Sequence, residues 1–381
     1  MKASAALVVG AGAQEAAARA AREALDGLGG AAPALATVFA SPHHRGAARE
    51  LLGAVRAEIG PVPLLGCVAE SVIGWDREVE DGPAVSMWLA SGLGPVETFA
   101  MDYLATASGG LFAGHRFEGG GTYLLVGDPF SFPAGQLLAH LNENVPGALV
   151  AGGMARGGAG GGPLFLDDQV LAHGAVGAKL EGAEVDILVS QGCRPIGSPY
   201  TVTRAEGNVM REIGGRPPFQ RLQDLVTTLS GPDRALLANG GLQVGLVIDE
   251  YRPEQRRGDF LVRSVVGADP GSGAIVVGGE LEVGQTVQFQ VRDAASADQD
   301  LAETLEGEVA ELAGAAPAGA LLFTCNGRGS HLFPGPDHDA AMLAKLLGDI
   351  PVAGFFCAGE IGPVGGKNFL HGFTASVAVF R

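Results

Sequence analysis

The chain has 381 residues, which favours two domains because domains commonly contain about 100–200 residues. Apolar residues make up 47% of the chain, enough for a sizeable core, and the 61 glycines and 22 prolines indicate many loops. The formal net charge of −17 repels phosphate groups, so it disfavours nucleic acids and anionic membranes as partners.

Three β-α-β units are predicted in chain order by short apolar strands that precede helices with apolar residues at helical spacing. They cover residues 35–74, 122–153 and 319–363. The first and third units share the pattern P-x2-G-x6-I-G, in which Gly66 corresponds to Gly354. This correspondence suggests two halves built on one plan, with chance similarity in a glycine-rich chain as the alternative.

Between these units, apolar segments separated by turn residues predict meander strands. The strands lie within residues 85–100, 164–204 and 243–291, with helices over 219–229 and 297–312. The stretch Gly214–Pro218 is the best domain boundary, because its prolines leave a strand unable to pair. We therefore predict an α/β protein with two similar-sized domains, residues 1–214 and 215–381, in which mixed β-sheets are flanked by helices.

Motifs for common cofactors and catalysts do not fit the sequence. Gly10 and Gly12 follow a strand, but the third small position of a dinucleotide fingerprint is Glu15, where the pyrophosphate would approach. Neither a phosphate-binding GxxxxGK[ST] loop nor a GxSxG nucleophile turn occurs. We therefore predict no cofactor, and no catalytic residue is assigned.

The polar residues between Cys325 and Asp339, which include two histidines, are candidate metal ligands. Their spacing matches no familiar zinc pattern, so no metal is predicted. Asp337 is better explained as the N-cap of the helix that follows it.

The strongest candidate site lies in the C-terminal quarter. Asn326 and Arg328 follow an apolar strand in CNGRG, at the strand end where α/β sheets usually bind ligands. Cys357, Gly359 and Glu360 leave a second apolar strand in CAGEIG. Arg328 and Glu360 could hold the carboxylate and the ammonium of a zwitterion. The alternative is an Arg328–Glu360 ion pair that only fixes the two loops.

Cysteine chemistry is a second interpretation. Cys67, Cys325 or Cys357 would need a lowered pKa from a neighbouring base, for which His331 and His371 are candidates. Apolar flanking residues argue against such activation. The four cysteines form no CxxC pattern, which suits a reducing compartment, and no apolar stretch is long enough for a membrane-spanning helix. We therefore expect a cytoplasmic protein.

At these residues the sequence resembles the FIST family, a two-part sensory module of bacterial signalling proteins and of a eukaryotic F-box protein. The segments that carry the resemblance are residues 64–74, 150–182, 320–333 and 350–380. The family's C-x-x-R-G and G-E-I-G motifs match at Cys325, Arg328, Gly359 and Glu360. In the N-terminal part, Ser71 replaces the family's glycine.

The resemblance implies a sensor-type module, proposed to bind small ligands such as amino acids, rather than a characterised catalyst. We expect its pocket at the loops after the Cys325 and Cys357 strands, joined by Arg156 and by the turn that carries Cys67 and Glu70. The expected partners are a small-molecule ligand and a separate signalling protein. An enzyme with a cysteine nucleophile and a protein-recruiting adaptor remain the alternatives.

Overall fold

A computed structural model describes residues 1–10, 12–106, 109–252, 255 and 258–381 of the chain. The chain divides into two compact units of unequal size. The larger comprises Met1–Val189, Leu301–Leu370 and Thr374–Arg381, and the smaller comprises Ser190–Asp300 and His371–Phe373. The larger unit therefore uses both ends of the chain. The predicted boundary between sequence domains, after Gly214, lies within the smaller unit. The division into domains of residues 1–214 and 215–381 stays a prediction.

The helices lie where apolar residues recur at helical spacing. They are α1 (Ala13–Leu28), α2 (Ala48–Ile59), α3 (Ala134–Asn144), α4 (Pro218–Thr228), α5 (Gly231–Ala238), α6 (Ala294–Glu311) and α7 (His338–Leu347). Short 3-10 turns cover Pro42–Ala47 and Gly329–His331. Within the described ranges, no helix combines the length and the apolar character that crossing a bilayer requires.

The strands form three sheets, of six, twelve and seven strands among the residues that the structure describes. They are β1 (Lys2–Val9), β2 (Leu35–Ala40), β3 (Leu64–Val68), β4 (Val72–Gly74), β5 (Arg77–Val79), β6 (Ala84–Ser91), β7 (Val96–Thr106), β8 (Gly109–Ala113), β9 (Thr122–Gly127), β10 (Leu149–Ala155), β11 (Leu164–Leu166), β12 (Gln169–Leu171), β13 (Ala175–Leu180), β14 (Val185–Gln191), β15 (Cys193–Pro195), β16 (Tyr200–Glu206), β17 (Val209–Ile213), β18 (Leu242–Val247), β19 (Phe260–Asp269), β20 (Ala274–Val277), β21 (Thr286–Arg292), β22 (Gly319–Cys325), β23 (Val352–Val364), β24 (Lys367–His371) and β25 (Thr374–Phe380). The predicted mixed α/β class is confirmed.

All three predicted β-α-β units are present in the larger unit. Strands β2 and β3 pair in parallel around α2, β9 and β10 around α3, and β22 and β23 around α7. The six-stranded sheet runs β1-β6-β2-β3-β11-β12, and the main path of the twelve-stranded sheet runs β14-β25-β22-β23-β10-β9-β13-β7-β8. Both sheets are mixed, because antiparallel strands flank each parallel pair.

The larger unit is layered because alternate residues of its strands face opposite sides. Phe39 of β2 and Phe355 of β23 meet between the two sheets, with their ring centroids 5.1 Å apart. Leu322 of β22 faces the other way and packs in a separate cluster with Leu343 of α7. Helices α1 and α2 cover the outer face of the six-stranded sheet, and α3 covers another part of the twelve-stranded sheet. The order of layers is therefore helix, sheet, sheet, helix.

The smaller unit contains the seven-stranded antiparallel sheet, in which β21 pairs with β15, β16 and β18. Its core includes Val244 of β18, Ile275 of β20 and Phe289 of β21. The predicted helix over residues 219–229 is present as α4, whereas α5 follows it without having been predicted.

The corresponding glycines of the first and third β-α-β units occupy equivalent places. A Cβ atom on Gly66 would lie 1.9 Å from the carbonyl oxygen of Val38, and one on Gly354 would lie 1.8 Å from that of Leu322. In both cases the obstacle is the backbone of the parallel neighbouring strand, which cannot move without breaking the pairing. This shared constraint supports the repeated plan suggested by the sequence.

We predict that Gly66→Ala destabilises the protein by about 3 kcal/mol, because the added methyl group overpacks against backbone. Gly53→Ala is the matched control, since Gly53 lies inside α2 with nothing within 4 Å of its added Cβ. That control should stabilise the protein by about 0.5–1 kcal/mol. Urea denaturation measures both, and equal effects of the two substitutions would contradict the packing argument.

Candidate functional site

The two segments predicted to form the site lie side by side. Cys325 ends β22 in register with Cys357 of β23, and the backbone N–H of Asn326 donates to the carbonyl of Cys357 at 2.8 Å. The expectation that Cys357, Gly359 and Glu360 leave a strand is wrong. Strand β23 continues to Val364, because this part pairs antiparallel with β10, with Glu360 opposite Gly153.

Arg328 is fully buried and paired with Asp339. Its Nε and Nη2 atoms each donate to a different oxygen of the Asp339 carboxylate at 2.7 Å. The guanidinium carbon lies 5.2 Å from the ring centroid of Phe333. Thr324 Oγ1 adds a hydrogen bond to Asp339 at 2.5 Å. The pairing of Arg328 with Glu360 that the sequence suggested is therefore wrong, because an acidic residue on the adjacent helix is closer.

The charge of Asp339 depends on this pairing. Burial by itself would raise the pKa of Asp339, but the Arg328 charge and the hydrogen bonds hold that pKa well below its ordinary value. Asp339 is therefore ionised inside the protein, and the pair is a buried, bidentate, charge-assisted contact.

A second buried carboxyl group, that of Glu78 on β5, caps helix α7. Its Oε1 atom accepts the backbone N–H groups of Asp339 at 2.9 Å and Ala340 at 3.0 Å. Burial and the neighbouring Asp339 charge raise the pKa of Glu78 to about 8. The prediction that the Asp337 side chain caps α7 is wrong, because that side chain makes no capping hydrogen bond. It accepts instead the backbone N–H of Glu78 at 2.6 Å. These reciprocal contacts tie β5 to the start of α7.

Glu360 is also fully buried, and its partner is Thr374. Oε2 accepts the backbone N–H of Thr374 at 3.2 Å and its Oγ1 hydroxyl at 2.8 Å. Oε1 has no hydrogen-bond partner within the described part of the chain. Burial raises the pKa of Glu360 to about 8, although the Thr374 bonds oppose this. A largely neutral carboxyl group is a weak anchor for the cationic end of a ligand.

The three predicted cysteines lie near one another, with Cys67 and Cys357 in the core between the sheets. Cys67 and Cys357 are fully buried, Cys325 is partly exposed, and Cys67 and Cys325 are both close enough to Cys357 to influence its titration. Burial raises the pKa of Cys67 and of Cys357 well above the ordinary thiol value. These two thiols are therefore poor nucleophiles at neutral pH.

The exposed rim of this region joins residues from distant segments. Asn326 Nδ2 donates to Glu70 Oε2 at 2.9 Å, as the predicted proximity of the two turns requires. Arg156 follows β10 and is exposed, and it makes no hydrogen bond or ion pair with the other site residues described. Glu80 accepts the backbone N–H and the hydroxyl of Ser330 and so fixes the loop after Arg328.

An open cleft lies elsewhere in the larger unit. Its volume is about 780 Å³, and its lining comes from β7, β8, α3 and the segment after β8. The lining residues are Met101, Phe112, His115, Arg116, Phe117, Glu118, Gly119, Leu137, His140, Leu141, Asn144, Val145 and Pro146. The outer side of the β7–β8 hairpin carries Leu104 opposite Leu111, and both side chains are exposed.

His115 is the buried polar residue of this cleft. Its ring stacks on Phe99 with a centroid distance of 3.9 Å and an interplanar angle of 10°. The side chain is only 7% exposed, and Nε2 has no hydrogen-bond partner among the described residues. Burial lowers the pKa of His115, so the ring is neutral at neutral pH. Nδ1 lies 3.8 Å from Glu97, too far for a hydrogen bond.

Sequence reasoning missed the partners of the motif residues and the cleft. Glu78 precedes Asp339 by more than 250 residues, so only the tertiary fold brings them together. The sequence signal for the cleft is a weak one, the basic pair His115-Arg116 between two phenylalanines. No group of three or more His, Cys, Asp and Glu side chains in the described ranges is arranged to hold a metal ion.

Comparison with known proteins covers most of the chain. The family model of the FIST N domain matches residues 34–216, and that of the FIST C domain matches residues 218–363. The chain is 52% identical over 371 residues to an uncharacterised protein of Mycobacterium tuberculosis, across 96% of each chain. It is 50% identical over 372 residues to an uncharacterised protein of Mycobacterium bovis, across 97% of this chain and 96% of the relative.

Replacing Arg328 by Met should destabilise the protein by about 3–5 kcal/mol, because Asp339 would remain as a buried charge without its partner. Arg328→Met combined with Asp339→Leu should recover part of this loss, since neither charge then remains. Chemical denaturation measures both variants, with Arg49→Met on the exposed side of α2 as the control. A single variant as stable as the control would contradict the structural role of the pair.

The raised pKa of Glu360 predicts a loss of stability as pH rises. The folded chain holds the Glu360 proton more tightly than the unfolded chain, so this stabilisation is complete below about pH 4.5 and is lost as pH rises through about 8. The glutamine in Glu360→Gln cannot ionise, so this variant should lack the decline in unfolding free energy that Glu360 causes. That decline amounts to at most about 5 kcal/mol between these pH values.

Unfolding free energies measured from about pH 5 to about pH 8 test this prediction. The informative quantity is the difference between the wild type and Glu360→Gln at each pH, with the exposed Glu50→Gln as the control. A difference that does not vary with pH would show that Glu360 is already ionised in the folded chain.

Proposed function

The chain belongs to the FIST family, as its sequence motifs predicted, and we propose that it is a cytoplasmic sensory module that binds a small organic molecule. FIST domains are sensory signal-transduction modules. Amino acids and related small zwitterions or carboxylates are the ligand classes that we propose. A separate signalling protein is the proposed receiver of the signal.

The observation that carries the proposal is the open cleft beside α3. Its volume of about 780 Å³ lies within the range of about 300–1,000 Å³ that is typical of small-molecule sites. Phe112, Phe117 and Leu137 supply apolar walls, and His115 supplies a buried nitrogen that has no hydrogen-bond partner in the described ranges. An apolar body with a few polar groups is the usual composition of such sites.

The motif residues Arg328 and Glu360 lie outside this cleft and are not accessible to solvent. Arg328 and Glu360 are fully buried, so a ligand could reach them only if the surrounding structure opened. Their direct contact with a ligand stays a prediction. Cys325, Asn326 and Arg156 retain exposure, and they are the candidates for a second point of contact at the rim.

A reducing compartment is supported by the cysteine arrangement. Cys67 and Cys357 are free thiols, although Cys67 lies close enough to Cys357 to affect its titration. Thiols that stay reduced near one another are typical of cytoplasmic proteins.

We predict that at least one compound from a panel of amino acids and small carboxylates raises the melting temperature by several degrees at about 100 times its dissociation constant, where binding stabilises by about 2.7 kcal/mol. Asn144→Trp should weaken that binding at least about tenfold, because Asn144 lines the cleft and a Trp side chain would fill it. Thermal shift and calorimetric titration give the two readouts.

Glu143→Trp is the matched control, since Glu143 is the adjacent exposed residue of α3 and is not part of the lining. Its binding should equal that of the wild type. A ligand whose affinity is the same in Asn144→Trp and in the wild type would place the binding site outside the cleft. Failure of the whole panel to bind would remove the proposal of small-carboxylate or amino-acid sensing.

A further inference from the structure

The lining of the cleft combines one arginine with one glutamate, although the whole chain has a net charge of −17. Its titratable lining residues are His115, Arg116, Glu118 and His140. Arg116 is the one full positive charge among the lining residues that the structure describes, and Glu118 is the one carboxylate. Which of these two charges is available to a ligand therefore decides the ligand's class.

Glu118 is already paired. Lys179 Nζ donates to Glu118 Oε2 at 2.5 Å and to Glu181 Oε1 at 2.9 Å. This hydrogen bond and the Lys179 charge lower the pKa of Glu118 below its ordinary value, with a smaller contribution from the nearby Arg116 charge, so the carboxylate is ionised. A ligand ammonium group would have to compete with Lys179 for it.

Arg116 is available. Its side chain is exposed, and it makes no hydrogen bond or ion pair with any other residue in the described ranges. A guanidinium group offers two parallel N–H donors, which match the two oxygens of a carboxylate. The cleft can therefore satisfy an anionic group without breaking an existing contact.

The walls next to Arg116 suit a flat apolar body. Phe112 and Phe117 lie on either side of the basic pair in sequence, and both line the cleft. The ring of Phe117 packs edge-on against Phe99, with a centroid distance of 5.7 Å and an angle of 79°. Aromatic rings prefer such edge and offset contacts, which a planar ligand can extend.

We propose that the cleft binds an organic acid with an apolar, planar body and a single carboxylate, which Arg116 holds. This inference rests on the proposed function and narrows it, because an amino acid would also need a partner for its ammonium group. The carboxylate replaces water at the guanidinium, and the planar body lies between the apolar walls.

Four compounds with one indole body test the ligand class. They are indole-3-propionate, the neutral indole-3-propionamide, tryptamine with an ammonium group, and tryptophan with both charges. Indole-3-propionate should bind at least about tenfold more tightly than the amide and tryptamine, and more tightly than tryptophan. Calorimetric titration of the full chain at low salt measures all four affinities.

Arg116→Gln should reduce the advantage of indole-3-propionate over its amide to less than about twofold. Arg49→Gln removes the same charge from the exposed side of α2 and should leave that advantage unchanged. Melting temperatures of both variants should match the wild type, because both side chains are exposed.

Two results would overturn the inference and leave the proposed function intact. The first is equal or tighter binding of tryptophan or tryptamine that Asn144→Trp still blocks. The second is an advantage of the carboxylate that survives Arg116→Gln. If none of the four indoles binds, the inference is overturned, and the wider panel of amino acids and carboxylates decides the proposed function separately.

Discussion

The buried ion pair between Arg328 and Asp339 is the contact on which the centre of the larger unit depends. It joins the loop after β22 to the first turn of α7, and Glu78 adds β5 to the same point. Removing two charges from water is costly, and only the bidentate geometry with its extra hydrogen bonds offsets that cost. The loop conformation and the helix start are therefore determined together, and neither keeps its partners without the other.

Much of the fold could be predicted from the sequence because its signals are local. Each β-α-β unit has its apolar strands and its helical periodicity within about 30–45 consecutive residues. The polar contacts were harder to predict. A buried arginine requires an acid, but the sequence offers several, and only the packing of α7 against β22 selects Asp339 over Glu360. The capping role of Glu78 depends on a segment far away in the chain, which no local pattern contains.

The residues that identify the family and the cleft that suits a ligand occupy different parts of the larger unit. Arg328, Glu360 and Cys357 lie in a closely packed interior, where glycines permit strands to approach. The cleft is built from a hairpin and one face of α3. A motif rich in glycine, cysteine and charge therefore lies here in a tightly packed region, where the Arg328 charge is paired with Asp339.

The β7–β8 hairpin connects the inside of the cleft with the surface. Phe112 faces the cleft, and the neighbouring Leu111 is exposed opposite Leu104. Adjacent residues of a strand share one backbone and point to opposite sides, so a shift of the strand backbone at Phe112 also moves Leu111. Under the proposed function, this shared backbone is a route by which an occupied cleft acts on the exterior of the larger unit.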